Sequence, residues 1–87
     1  MPNQFVTATF ENAIPSGYSF ELSDENGIHD SGQISSSTST LTMNVTFGLP
    51  LDHQYTLKFY DEDSVQWSGA KLLNAVGGIV IVENVDI

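Results

Sequence analysis

Apolar and polar residues alternate with a period of two along most of this chain, the spacing of strands with one buried face and one wet face. Val6, Ala8 and Phe10 alternate with Thr7, Thr9 and Glu11, which predicts a strand over 4–11. Turn formers at 12–17 end it, and Tyr18, Phe20 and Leu22 then share a face opposite Ser19, Glu21 and Ser23, predicting a strand over 17–23. Asp24-Glu25-Asn26-Gly27 closes that strand with a pair, Asn-Gly, suited to positive φ. Residues 28–34 are polar and broken by Gly32, as in a short or bulged edge strand, and a Ser/Thr run follows at 35–40. The most regular alternation is Leu41, Met43, Val45 and Phe47 against Thr42, Asn44 and Thr46, predicting a strand over 40–47. Tyr55, Leu57 and Phe59 repeat the pattern up to Tyr60, and Asp61-Glu62-Asp63-Ser64 is the next turn. Val65 and Trp67 share a face of a short strand at 64–69, Trp67 reading as a core or half-buried ring, and 70–74 either continues that strand or forms a turn of helix.

The last segment breaks the alternation. Ile79, Val80, Ile81 and Val82 are apolar at every position, so both faces need cover. Either 79–82 is a central strand with 70–76 folded over its outer face, or it pairs along an edge with another copy of the chain. The second arrangement is the expectation, with these four residues at the interface of a homo-oligomer.

Helical periodicity is absent, and about seven short strands separated by turn signals every 8–12 residues fit an all-β fold. The predicted architecture is an antiparallel β-sandwich, immunoglobulin/fibronectin III-like, formed as one domain over residues 1–87.

One segment carries a family likeness. Leu49-Pro50-Leu51-Asp52-His53-Gln54-Tyr55-Thr56-Leu57-Lys58-Phe59-Tyr60 resembles the stretch of fibronectin type III domains that turns the corner between their fifth and sixth strands, with a Leu six residues before a Tyr and apolar residues at every second position after it. The resemblance implies a tyrosine corner, in which the Tyr55 hydroxyl bonds back to backbone. It covers a dozen residues: Pro50 comes one position early, His53 stands where the family usually has Thr, and the second strand offers Tyr18 and Phe20 in place of the family's core Trp. Domains of that family are spacers and binding modules, and the likeness implies no catalytic activity.

Charge narrows the partners. Eleven acidic residues against Lys58 and Lys71 leave a net charge of −9. Counterion displacement from nucleic acid needs many cationic side chains, so nucleic acid is not an expected partner, and neither is an anionic membrane. The absence of cysteine excludes disulfides, thiolate metal sites and thiol catalysis. The Met1-Pro2-Asn3-Gln4 start shows neither a basic nor an apolar leader region.

Catalytic motifs are missing, and His29 and His53 are the only histidines, so an enzyme is not expected. Cation chemistry is the stronger candidate. Asp24, Glu25, Asn26 and Asp30 surround one turn and Asp61, Glu62 and Asp63 fill another, hard oxygen donors of the kind Ca²⁺ takes, although no EF-hand loop can be drawn. If a strand crosses over between 32 and 40, the two turns are expected at one pole, with Asp24, Asp30, Asp61 and Asp63 as Ca²⁺ ligands. In an up-and-down meander the turns lie at opposite poles, and His29 approaches His53 with Asp30 and Asp52 nearby, a set suited to Zn²⁺ or Ni²⁺.

These readings lead to a non-catalytic binding or assembly module, exposed outside a cell or on a virus particle, that holds a protein partner, its own copies included, or a glycan through loops or sheet edges. The alternative is a Ca²⁺-stabilised adhesion or carbohydrate-binding domain.

Overall fold

The computed structural model describes residues 3–46, 50, 52–75 and 78–85. Seven strands and no helix organise them: β1 (Asn3–Ile14), β2 (Ser19–Asp24), β3 (Gly27–Gln33), β4 (Thr38–Thr46), β5 (Gln54–Tyr60), β6 (Gln66–Ala75) and β7 (Gly78–Val85). They form two antiparallel sheets, β1-β4 and β3-β2-β5-β6-β7. The two sheets pack together as a small β-sandwich.

The alternating residues turn toward each other between the sheets. Val6, Ala8 and Phe10 of β1 and Leu41, Met43 and Val45 of β4 pack on Phe20 and Leu22 of β2, Tyr55, Leu57 and Phe59 of β5, and Ala70 and Leu72 of β6. Leu57 is the register partner of both Leu22 and Ala70, so one apolar row crosses three strands. Phe10 and Phe59 meet edge to face across the sheets at 5.6 Å between ring centroids. Ile14 and Ile34, fully or almost fully buried, close the core where the ladders become irregular.

Several elements depart from the sequence expectation. β6 runs on to Ala75, which settles 70–74 as strand rather than helix. Among the described residues the strand holding Ile79, Val80, Ile81 and Val82 is hydrogen-bonded to β6 alone and forms an edge of the larger sheet; it is not a central strand, and 70–75 lies beside it in the ladder rather than over its outer face. Of the expected core, the Ile81 side chain lies outside the described residues, as does that of Trp67.

Candidate functional site

The expected gathering of Asp24, Asp30, Asp61 and Asp63 does not form. β2 and β5 are antiparallel neighbours with Ser19 opposite Tyr60 and Ser23 opposite Thr56. Asp24 therefore ends β2 at one pole and Asp61 follows β5 at the other, roughly 20 Å away along the strands. The chain does cross to the other sheet between β3 and β4, but that crossover leaves the direction of β5 against β2 unchanged, so it cannot bring the two acidic turns together. Asp61 is used locally: its Oδ1 accepts the backbone N–H groups of Asp63 and Val65, folding the turn on itself. Asp30 accepts the backbone N–H of Asn44 through Oδ2 and that of Ser31 through Oδ1.

The pole that holds Asp24 brings both histidines together instead. His29 Nε2 lies 2.6 Å and His53 Nε2 2.7 Å from the same oxygen, Oδ2 of Asp24. The Asp24 side chain is completely buried, and those of His29 and His53 are 13% and 11% exposed. The other Asp24 oxygen, Oδ1, accepts the backbone N–H of Asn26 and fixes the tight turn between β2 and β3.

Local backbone features aim each imidazole. Leu22 pairs with Asp30 and Ser23 with Ile28, so His29 is an extra residue in β3, a β-bulge. A bulge interrupts strict alternation and re-aims a side chain. Asp30 can thus face inward opposite buried Leu22 while its neighbour His29 reaches Asp24. Gly27 follows the turn at φ 113°, a conformation that favours glycine. His53 is fixed through its backbone, its N–H bonded to Pro50 and its carbonyl to the Asn74 N–H, just after Asp52 turns the chain at φ 68°.

Tyr55 forms the floor. Its ring meets His53 edge to face at 4.9 Å and His29 at 5.6 Å. It is fully buried on β5, and among the described residues its hydroxyl has no hydrogen-bond partner. Residues 47–49 and 51, the upstream stretch whose backbone a tyrosine corner would use, lie outside the described residues. Burial pushes the Tyr55 phenol up from its ordinary pKa; the Asn74 side chain works against that rise, and the charges of Asp24 and Glu25 add to it.

For Asp24, burial acts against the charged form, but the hydrogen bonds from His29 and His53, then the Asn26 amide and the His29 charge, outweigh it and hold the carboxyl below the ordinary aspartate value. Glu25, 71% exposed, stands at the rim with Oε1 4.0 Å from His53 Nδ1. Asp24, Glu25 and His53 each bring a donor atom within 4.8 Å of the others. The sequence showed that His29 and His53 could meet; it named Asp30 and Asp52 as their companions, whereas Asp24 and Glu25 hold that place.

On the outer face of the larger sheet, Gly69 leaves a shallow hollow edged by Thr56, Lys58, Gln66 and Lys71, which puts both lysines of the chain on one surface. A second depression, at the far pole, is lined by Tyr18, Asp61, Glu62 and Asp63. No protein-family model, curated protein or solved structure matches this chain.

Proposed function

We propose that the chain is a non-catalytic binding or assembly module, exposed outside the cell or on a virus particle, that holds a protein or glycan partner through its sheet edges or loops. The observation that supports this reading is the position of β7. Among the described residues, the run apolar at Ile79, Val80, Ile81 and Val82 forms an edge strand with a ladder on one side only, Ile79 packing against the core and the side chains of Val80, Ile81 and Val82 lying outside the described residues, and such an edge is a template for adding a further strand. A second copy of the same chain is the partner that fits best, since an isologous pairing of two β7 edges would extend the sheet antiparallel across a two-fold axis. Scarce Lys and Arg and plentiful Ser, Thr and Asn suit an exposed setting.

A net charge of −9 opposes self-association, so salt strengthens the contact if apolar burial drives it. Light scattering across protein and salt concentration tests this. The expected result is a dimer or larger oligomer that Val80→Lys or Val82→Lys, made separately, dissociates without loss of the β circular dichroism. A monomer at high concentration and high salt overturns self-association; a pull-down and a glycan array then identify a foreign partner. The Ca²⁺-stabilised alternative has lost the four-carboxylate site that motivated it.

A further inference from the structure

We propose that Asp24, Glu25, His29 and His53 form a binding site for one divalent transition-metal ion of the Zn²⁺ class. Two imidazole nitrogens directed at one oxygen of a completely buried carboxylate are a donor set for such an ion, because nitrogen donors favour Zn²⁺, Co²⁺ or Ni²⁺ over Ca²⁺ and Mg²⁺. Two histidines and two carboxylates complete the four positions that Zn²⁺ takes.

Three of the four donor residues already lie close together, and the fourth shares an oxygen with them. Asp24, Glu25 and His53 already offer donor atoms within 4.8 Å of one another, and His29 is hydrogen-bonded to the same Asp24 oxygen. Metal-to-donor distances of about 2.0–2.2 Å in a tetrahedron place donor atoms roughly 3.3 Å apart. An ion entering at Asp24 Oδ2 therefore replaces the two hydrogen bonds, each imidazole carrying its proton on Nδ1 once Nε2 becomes a ligand. The site is also supported from behind. Asp24 Oδ1 is held by the Asn26 N–H, which leaves Oδ2 to face the ion, and outer-shell bonds of this kind orient metal ligands.

The Tyr55 ring meets both imidazoles edge to face and supports them from below. The ion would also cross-link three stretches of chain: the β2–β3 turn, the bulge in β3 and the segment entering β5. A site of this kind deepens no claim about the partner at β7 and stands or falls without it.

The test uses the full chain with any affinity tag removed. Titration with Zn²⁺ and with Co²⁺ is followed by calorimetry, by thermal unfolding and, for Co²⁺, by the intense visible absorption of a four-coordinate ion. The expected result is one ion per chain, a raised melting temperature that EDTA reverses, no such rise with Ca²⁺ or Mg²⁺, and a loss of at least tenfold in affinity in His29→Gln and in His53→Gln. A folded wild-type protein that binds neither metal overturns the proposal, and so do variants that are folded by circular dichroism and bind as tightly as the wild type.

Discussion

The carboxylate of Asp30 in β3 accepts the backbone N–H of Asn44 in β4 at 2.9 Å, across the line where the two sheets meet. β3 and β4 belong to different sheets and share no ladder, so this side chain does for one position what strand pairing does elsewhere. With both oxygens engaged by backbone N–H groups, those of Asn44 and Ser31, this carboxylate is a structural clamp.

Replacing it should loosen the seam. Hydrogen bonds to charged groups contribute about 1.5–3 kcal/mol, and Asp30→Ala also leaves the Asn44 N–H without its acceptor. We expect a loss in that range by urea denaturation, with hydrogen exchange at Asn44 speeding up more than exchange in the β2–β5 ladder. Unchanged exchange at Asn44 would show that the clamp carries no load.

Leu57 is the centre of the apolar row that joins β2, β5 and β6, and it is fully buried. Leu57→Ala should cost about 2–5 kcal/mol, enough to unfold much of a domain this small at ordinary temperature. An unchanged melting point would contradict the observed register.

Tyr55 gives the opposite expectation. Among the described residues the buried Tyr55 hydroxyl has no partner, so Tyr55→Phe should leave stability unchanged or raise it, whereas a hydroxyl bonded as in a tyrosine corner would lose about 1 kcal/mol. The phenol is held above its ordinary pKa, so the unfolded chain loses this proton first as pH rises. The neutral phenol's contribution is full below the unfolded value of about 10 and fades as pH climbs through the folded value. In the metal-free protein, alkaline melts should therefore decline more steeply for wild type than for Tyr55→Phe.

Gly27 stands at φ 113°, with open space where a Cβ would be. Gly27→Ala meets no obstacle and tests backbone strain alone, so we expect a loss of roughly 1–2 kcal/mol by thermal melt. A stabilised variant would mean that this turn adopts another conformation in solution.

Much of the fold was legible because alternation is a local signal. The inward sets of β1, β2, β4 and β5 follow directly from every second residue being apolar, and the bulged edge at 28–34 was readable from its polarity and Gly32, although the bulge itself falls at His29. Ile14 and Ile34 carry no such signal because each stands next to a turn, outside any alternating run. Gly69 and Ala70 interrupted the pattern of β6, since a short side chain beside a close-lying carbonyl of Leu57 carries no hydrophobic mark. The histidine pair was only half readable. Which pole each turn occupies depends on β2 lying antiparallel to β5, a pairing between segments more than thirty residues apart, and no local rule supplies it. The sequence places Asp24 among carboxylates suited to Ca²⁺ because its burial beneath two imidazoles is a product of that pairing.

The extra residue in β3 has a consequence for insertions and deletions. Asp24 pairs with Gly27, Ser23 with Ile28 and Leu22 with Asp30, so a chain lacking residue 29 would still offer every one of those partners in unbroken succession. The hairpin can spare His29 altogether: its excision leaves a more regular ladder than its replacement by alanine does. The ladder does not need this residue, and its imidazole is seated where it meets a buried carboxylate.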